Sequence, residues 1–143
     1  MPDLQRQALV PYSAEVMYEI VNRCDFYPEF LPWCSEGKII ESTDETMTAS
    51  IFMKKGPLDQ AFSTQNTMIK GKEINIYLLD GPFKKLEGKW VFTNIANHGS
   101  KVELELSYEF SNSIISMVVG PVFNQIANTL VDSFCKRAES LYG

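Results

Sequence analysis

The stretch from Asn112 to Gly143, NSIISMVVGPVFNQIANTLVDSFCKRAESLYG, limits what this chain can fold into more than any other. A side-chain oxygen at Asn112 or Ser113 can cap a helix start. Ile115, Val118, Val119, Val122, Phe123, Ile126, Ala127, Leu130, Phe134, Ala138 and Leu141 then recur at helical spacing. Asn124, Gln125, Asn128, Asp132, Lys136 and Glu139 fall on the opposite face. The pattern is one long amphipathic helix with a broad apolar stripe. Lys136 and Arg137 suit the negative end of its dipole, and Gly143 ends it. Pro121 has no amide hydrogen and crowds the preceding turn, so Gly120-Pro121 interrupts the run. The spacing predicts a short helix, a kink there, and then about five turns of straight helix. Such a helix needs a large apolar partner, and nearly everything before it reads as strand.

Leu4 to Val10 is a short first strand ended by Pro11. Ser13 caps a helix that carries Glu15 in its first turn and Val16, Met17, Ile20 and Val21 on its apolar face. CDFYPEFLPW, Cys24 to Trp33, holds two prolines among large apolar side chains, which predicts only a tight helical turn between Pro28 and Pro32. From Lys38 to Phe110 the period changes to two, with turn signals about every ten residues. The expected turns are Thr43–Glu45, Gly56-Pro57, Lys70–Lys72, Asp80–Pro82 and Asn97–Gly99. The last strand alternates most cleanly, with Val102, Leu104, Leu106, Tyr108 and Phe110 against Lys101, Glu103, Glu105, Ser107 and Glu109. Consecutive hairpins with one apolar face form an antiparallel sheet covered on that face. The expected architecture is therefore α+β: one domain over residues 1–143, with a curved sheet of seven antiparallel strands around one long C-terminal helix. A curved sheet and a straight rod do not close everywhere, which predicts an apolar cavity between them.

Composition excludes several functions. The net charge of −5 argues against general nucleic-acid binding. Its distribution is uneven: residues 1–53 hold three basic and nine acidic side chains, residues 54–89 seven and four, and residues 90–143 three and five. Lys54, Lys55, Lys84 and Lys85 are the candidates for contact with an anionic surface. Cys24, Cys34 and Cys135 form no CxxC pair, and three thiols cannot all pair within one chain. Reduced, mostly buried thiols in a cytoplasmic protein are expected, with no signal peptide and no transmembrane segment.

The layout, together with YPEFLPWC at Tyr27–Cys34, LLDGPFKKLEGKW at Leu78–Trp90 and VDSFCKRAESLYG at Val131–Gly143, resembles the START-like superfamily with its helix-grip fold. Within it the chain is similar to the RatA-type ribosome-association toxins and their mitochondrial relatives, the coenzyme-Q-binding proteins. The resemblance covers essentially the whole chain. It implies two attributes: binding of ubiquinone or another polyisoprenoid quinone in support of respiration, and binding of the large ribosomal subunit that blocks subunit joining. A toxin of this type also implies an antitoxin partner, and a carrier of a hydrophobic small molecule implies transient membrane contact. No cofactor is required.

Catalytic motifs are absent. His98 is the single histidine and lies in a turn. There is no HExxH, GxSxG, P-loop or dinucleotide signature, and no metal-ligand spacing. Glu103, Glu105 and Glu109 read as a solvated strand face. Cys34 has no histidine near it in sequence to activate it as a nucleophile. Some START-like relatives are polyketide cyclases, so a cyclase or dehydratase is the alternative; its polar groups would come from Thr64, Asn66, Asn94 and Tyr108. For a bound ligand the candidate wall is Phe30, Leu31, Trp33, Phe83, Trp90, Phe92, Tyr108, Phe110, Val119, Phe123 and Ile126, with a mouth between Tyr27–Trp33 and Gly81–Phe83. A long apolar tail needs dispersion contacts, and a quinone head needs one or two donors.

Overall fold

The computed structural model describes residues 3–96 and 98–143. Asn97, the first residue of the expected Asn97–Gly99 turn, lies outside them. The chain runs β1 (Asp3–Val10), α1 (Ala14–Asn22), a 3-10 turn (Cys24–Glu29), β2 (Cys34–Ser42), β3 (Thr46–Lys55), β4 (Leu58–Ile69), β5 (Glu73–Asp80), β6 (Phe83–Asn94), β7 (Ser100–Phe110) and α2 (Ser113–Tyr142). The seven strands form one antiparallel sheet in the order β1-β7-β6-β5-β4-β3-β2. Five successive hairpins carry the chain from β2 to β7. β1 instead pairs with β7, Leu4 opposite Leu106, so α1 and the 3-10 turn take the chain from one edge of the sheet to the other.

Local chemistry fixes the element ends. Ser13 Oγ accepts from Val16 N–H at 3.2 Å to start α1, and Asn112 Oδ1 accepts from Ile115 N–H at 2.9 Å to start α2. The β3–β4 turn is tighter than Gly56-Pro57 alone predicts: β4 resumes at Leu58, with Gly56 at φ +58°. The helical turn after α1 spans Cys24–Glu29 and not Pro28–Pro32. A single 3-10 turn needs few N–H donors, so Pro28 is tolerated inside it. β2 begins at Cys34, four residues before the expected start. Register shifts between Cys34 and Glu36 and between Ile39 and Glu41 break the alternation that would have marked it.

Those irregularities, with further shifts at Ser63/Thr64 and Phe83/Lys85, bend the strands they interrupt. Gly88 sits midway along β6, where a Cβ would come within 3.1 Å of Leu106 Cδ1; a strand glycine often marks such a close approach. The concave face receives α2. Val119, Phe123, Ile126, Ala127, Val131, Phe134 and Ala138 are buried on it.

Two details of α2 differ from the sequence reading. The helix runs unbroken from Ser113 to Tyr142 with Pro121 inside it, so the two expected segments are one. A proline removes a single i→i−4 bond, and the surrounding turns hold the helix together. Val118 and Leu141, placed in the core stripe by spacing, are 49% and 50% exposed, while Val131 is buried. Length and composition alone would allow this helix to cross a membrane, but its inner stripe is packed against the sheet.

Candidate functional site

Between the sheet and α2 lies a cavity of about 110 Å³. Ile51 and Met53 of β3, Phe62, Thr64 and Asn66 of β4, Ile74 and Ile76 of β5, Leu86 and Trp90 of β6, and Leu106 of β7 form its sheet wall. Phe123, Ile126, Ala127, Leu130 and Phe134 of α2 form the opposite wall. Val21, Asn22, Cys24, Tyr27 and Trp33 close it from the side of α1 and the 3-10 turn.

Four of the expected ligand-wall residues line this cavity: Trp33, Trp90, Phe123 and Ile126. The other seven do not. Phe83, Phe110, Tyr108 and Phe123 form a packed cluster at the α2 N-terminal end, with Phe83 stacked on Phe110 at 5.3 Å and Phe123 edge-on to Phe83 at 5.1 Å. The Gly81–Phe83 turn therefore plugs the place where a mouth was expected, and Phe83 is only 6% exposed. Phe92 lies flat beside Trp90 at 6.1 Å, Phe30 packs edge-on to Phe134 at 5.5 Å, and Leu31 and Val119 are buried in the core. Spacing shows which strand face points inward. It does not show which inward residues border empty space, and so it missed Phe62, Leu130 and Phe134.

Polar groups in the cavity are few. Asn66 and Thr64, two apart on β4, both face inward and are 6% and 4% exposed. The side-chain oxygens of Asn66 and Asn22 are buried and have no hydrogen-bond partner among the described residues. A buried amide oxygen without a partner is costly, and both belong to the cavity wall. Tyr27 is also there, but its hydroxyl donates to the Val21 carbonyl. Burial pushes the Cys24 thiol up to about 11, so it stays protonated at neutral pH.

The remaining candidates for cyclase chemistry are engaged elsewhere. Tyr108 Oη donates to Asn124 Oδ1 and ties β7 to α2. Asn94 Oδ1 accepts from Ala14 N–H at 2.8 Å, at the start of α1. His98 is exposed. Among the described residues no group of three or more His, Cys, Asp or Glu side chains is placed to hold a metal ion.

The hairpins divide the basic middle of the sequence between the two ends of the sheet. Lys54 and Lys55 end β3, and Lys84 and Lys85 begin β6, at the end where α2 starts. Lys70 and Lys72 flank the β4–β5 turn at the opposite end. Lys54 lies opposite Asp59 and Lys85 opposite Glu109, so the charge at that end is diluted.

A curved antiparallel sheet closed over an apolar cavity by one long helix defines a START-like helix-grip protein. Solved structures share it: a START superfamily protein from Mycobacterium smegmatis has a TM-score of 0.77 at 17% identity, covering 97% of this chain and 98% of that one. The Zhui aromatase/cyclase from Streptomyces sp. R1128 has a TM-score of 0.79 at 12% identity, covering 96% and 93%. Residues 10–135 match the family described as polyketide cyclase/dehydrase and lipid transport, and the chain belongs to that family, in the branch of the ribosome association toxin RatA. It is 41% identical to RatA of Pseudomonas aeruginosa over 98% of this chain and 97% of the relative. To RatA of Escherichia coli K12 it is 42% identical, over 99% and 90%. A more distant relative is the mitochondrial coenzyme Q-binding protein COQ10 homolog B of Xenopus laevis, 25% identical over 92% of this chain and 56% of that one.

Proposed function

We propose that this chain is a non-enzymatic binding protein of the cytoplasm that takes an apolar, quinone-like ligand between its sheet and α2. The observation that carries this reading is the cavity wall. Of its twenty residues only Asn22, Thr64 and Asn66 carry amide or aliphatic hydroxyl groups, none is Asp, Glu, His, Lys or Arg, and the two titratable ones, Cys24 and Tyr27, are a thiol that burial keeps protonated and a hydroxyl engaged by the Val21 carbonyl. General acid–base or nucleophilic catalysis needs a titratable group within reach of the substrate. Holding an isoprenoid lipid needs apolar area, at roughly 25 cal/mol per Å² removed from water, and one or two polar contacts for the head. The side-chain Nδ2–H groups of Asn22 and Asn66 are the donors that such a head's carbonyl oxygens would need. The closed volume is small beside the ~300–1,000 Å³ of pockets that hold drug-sized ligands. Uptake of a tail therefore requires α2 to move away from the sheet. Organic extraction of purified protein followed by mass spectrometry tests the reading: a co-purified isoprenoid quinone is expected, and a water-soluble polyketide-like compound would favour the cyclase alternative.

A second role is supported by the full-length likeness to proteins named for ribosome association. In this role the protein contacts the large ribosomal subunit through Lys54, Lys55, Lys84 and Lys85, under control of an antitoxin partner. Reversing all four to Glu is expected to abolish co-sedimentation with large subunits, and raised salt to weaken the wild-type association steeply. Association unaffected by both would remove these lysines as the contact.

A further inference from the structure

Two side-chain oxygens of the cavity wall, Asn22 Oδ1 and Asn66 Oδ1, are buried without a hydrogen-bond partner among the described residues. Asn66 is the deeper residue, 6% exposed on the inward face of β4. The side chains opposite it cannot donate, because they are Met47 on β3 and Ile76 on β5. Asn22 closes α1. Tyr27, the tyrosine of the same cavity, gives its hydroxyl proton to the Val21 carbonyl instead. Thr64 lies two residues from Asn66 on the same strand face, beside the register shift at Ser63/Thr64. Such irregularities re-aim side chains and recur next to active sites.

These oxygens discriminate between ligand heads. A carboxamide carries one acceptor oxygen and one NH2 donor. A head that offers only carbonyl oxygens pairs with the NH2 and leaves the amide oxygen unpaired, whichever way the amide is turned. A hydroxyl both donates and accepts, so it pairs with either end. A buried acceptor left unpaired is costly, and pairing it recovers that cost. The apolar wall does not make this distinction. Reduction of a quinone to its quinol adds two hydrogens at the head and leaves the tail unchanged.

On the reading that this cavity takes a quinone-like ligand, we propose that Asn66 and Asn22 make it selective for the reduced head. The quinol hydroxyls donate to the two amide oxygens, whereas the oxidised quinone leaves those oxygens unpaired. Both amides stand on β4 and α1, so they stay in place when α2 moves to admit a tail. Asn66 is a specificity-determining residue in this scheme, and the protein itself transfers no electrons. The selectivity gives a carrier a direction. It loads where quinone is reduced and unloads where quinol is oxidised, because oxidation of the bound head removes the donors that held it.

Anaerobic calorimetric titration of the full chain with decyl-ubiquinone and with its quinol tests this. The quinol is expected to bind about tenfold tighter, the worth of one buried polar group left unpaired. The same factor raises the two-electron potential of the bound couple by about 30 mV over the free couple. Asn66→Leu removes both polar ends at similar volume. It is expected to fold at least as stably as the wild type, to lose most of the preference for quinol, and to lose the potential shift with it. Equal affinity of the wild type for the two forms, the result if water in the cavity already satisfies the oxygens, overturns the proposal and leaves the quinone-binding reading standing. Tighter binding of the quinone does the same. Binding of neither form overturns both. A preference for quinol that Asn66→Leu retains in full overturns the assignment to Asn66.

Discussion

The indole of Trp90 and the ring of Phe134 meet edge to face across the cavity, with centroids 5.3 Å apart and planes at 87°. Trp90 stands on β6, midway across the sheet, and Phe134 on the second half of α2. Phe134 also packs on Tyr27 at 5.3 Å and Phe30 at 5.5 Å. Arg137, one turn on, pairs with Glu29 at 2.8 Å. This contact set is what fastens the long helix to both the sheet and the 3-10 turn. Phe134→Ala is expected to cost about 3–5 kcal/mol of stability, read as a lowered urea midpoint. A loss under about 1 kcal/mol would show that α2 is held elsewhere.

Gly37 on β2 lies against the 3-10 turn, and a Cβ there would sit 2.0 Å from the Cys24 carbonyl oxygen. Backbone cannot yield that far without moving the turn that walls the cavity. Gly37→Ala is expected to destabilise by more than about 2 kcal/mol, whereas Gly56→Ala, with nothing within 4 Å and only the strain of φ +58°, is expected to cost about 1 kcal/mol. Equal losses at the two positions would contradict the close packing.

Burial pushes both the Cys24 and Cys34 thiols from 9.0 up to about 11. Below pH 9 both are protonated whether the chain is folded or not. Between pH 9 and 11 the unfolded chain releases these protons and the folded chain keeps them, so stability falls as pH rises through that window. Urea midpoints measured from pH 8 to 11 are expected to decline, and less steeply in a Cys24→Ala/Cys34→Ala variant. The same slope in both proteins would assign the decline to other groups, such as Tyr27, which burial also raises.

Much of the fold was legible because the period changes are unambiguous. The alternation from Val102 to Phe110 and the helical spacing after Asn112 predict β7 and α2, and the Ser13 cap predicts α1. What spacing could not show is three-dimensional closure. Phe83 and Phe110 look like ligand-wall aromatics in sequence, yet they stack on each other. Val118 fits the apolar stripe, yet it faces water, because the stripe is wider than the sheet covers at that end. Asn22 ends a helix whose sequence gives no hint that its side-chain oxygen is left unpartnered at a cavity. Register shifts at β2 hid its first residues, since each one reverses the apparent period.

Both tryptophans of the chain, Trp33 and Trp90, line the cavity, so intrinsic fluorescence reports directly on its occupant. Titration with ubiquinone analogues of increasing isoprenoid length is the most direct test of a quinone-binding cavity. Quenching whose affinity rises with tail length, and which weakens by up to about 3 kcal/mol in Phe123→Ala and by less, about 1 kcal/mol, in Asn66→Ala, is the predicted result. Affinity independent of tail length, or no quenching at any length, would contradict it.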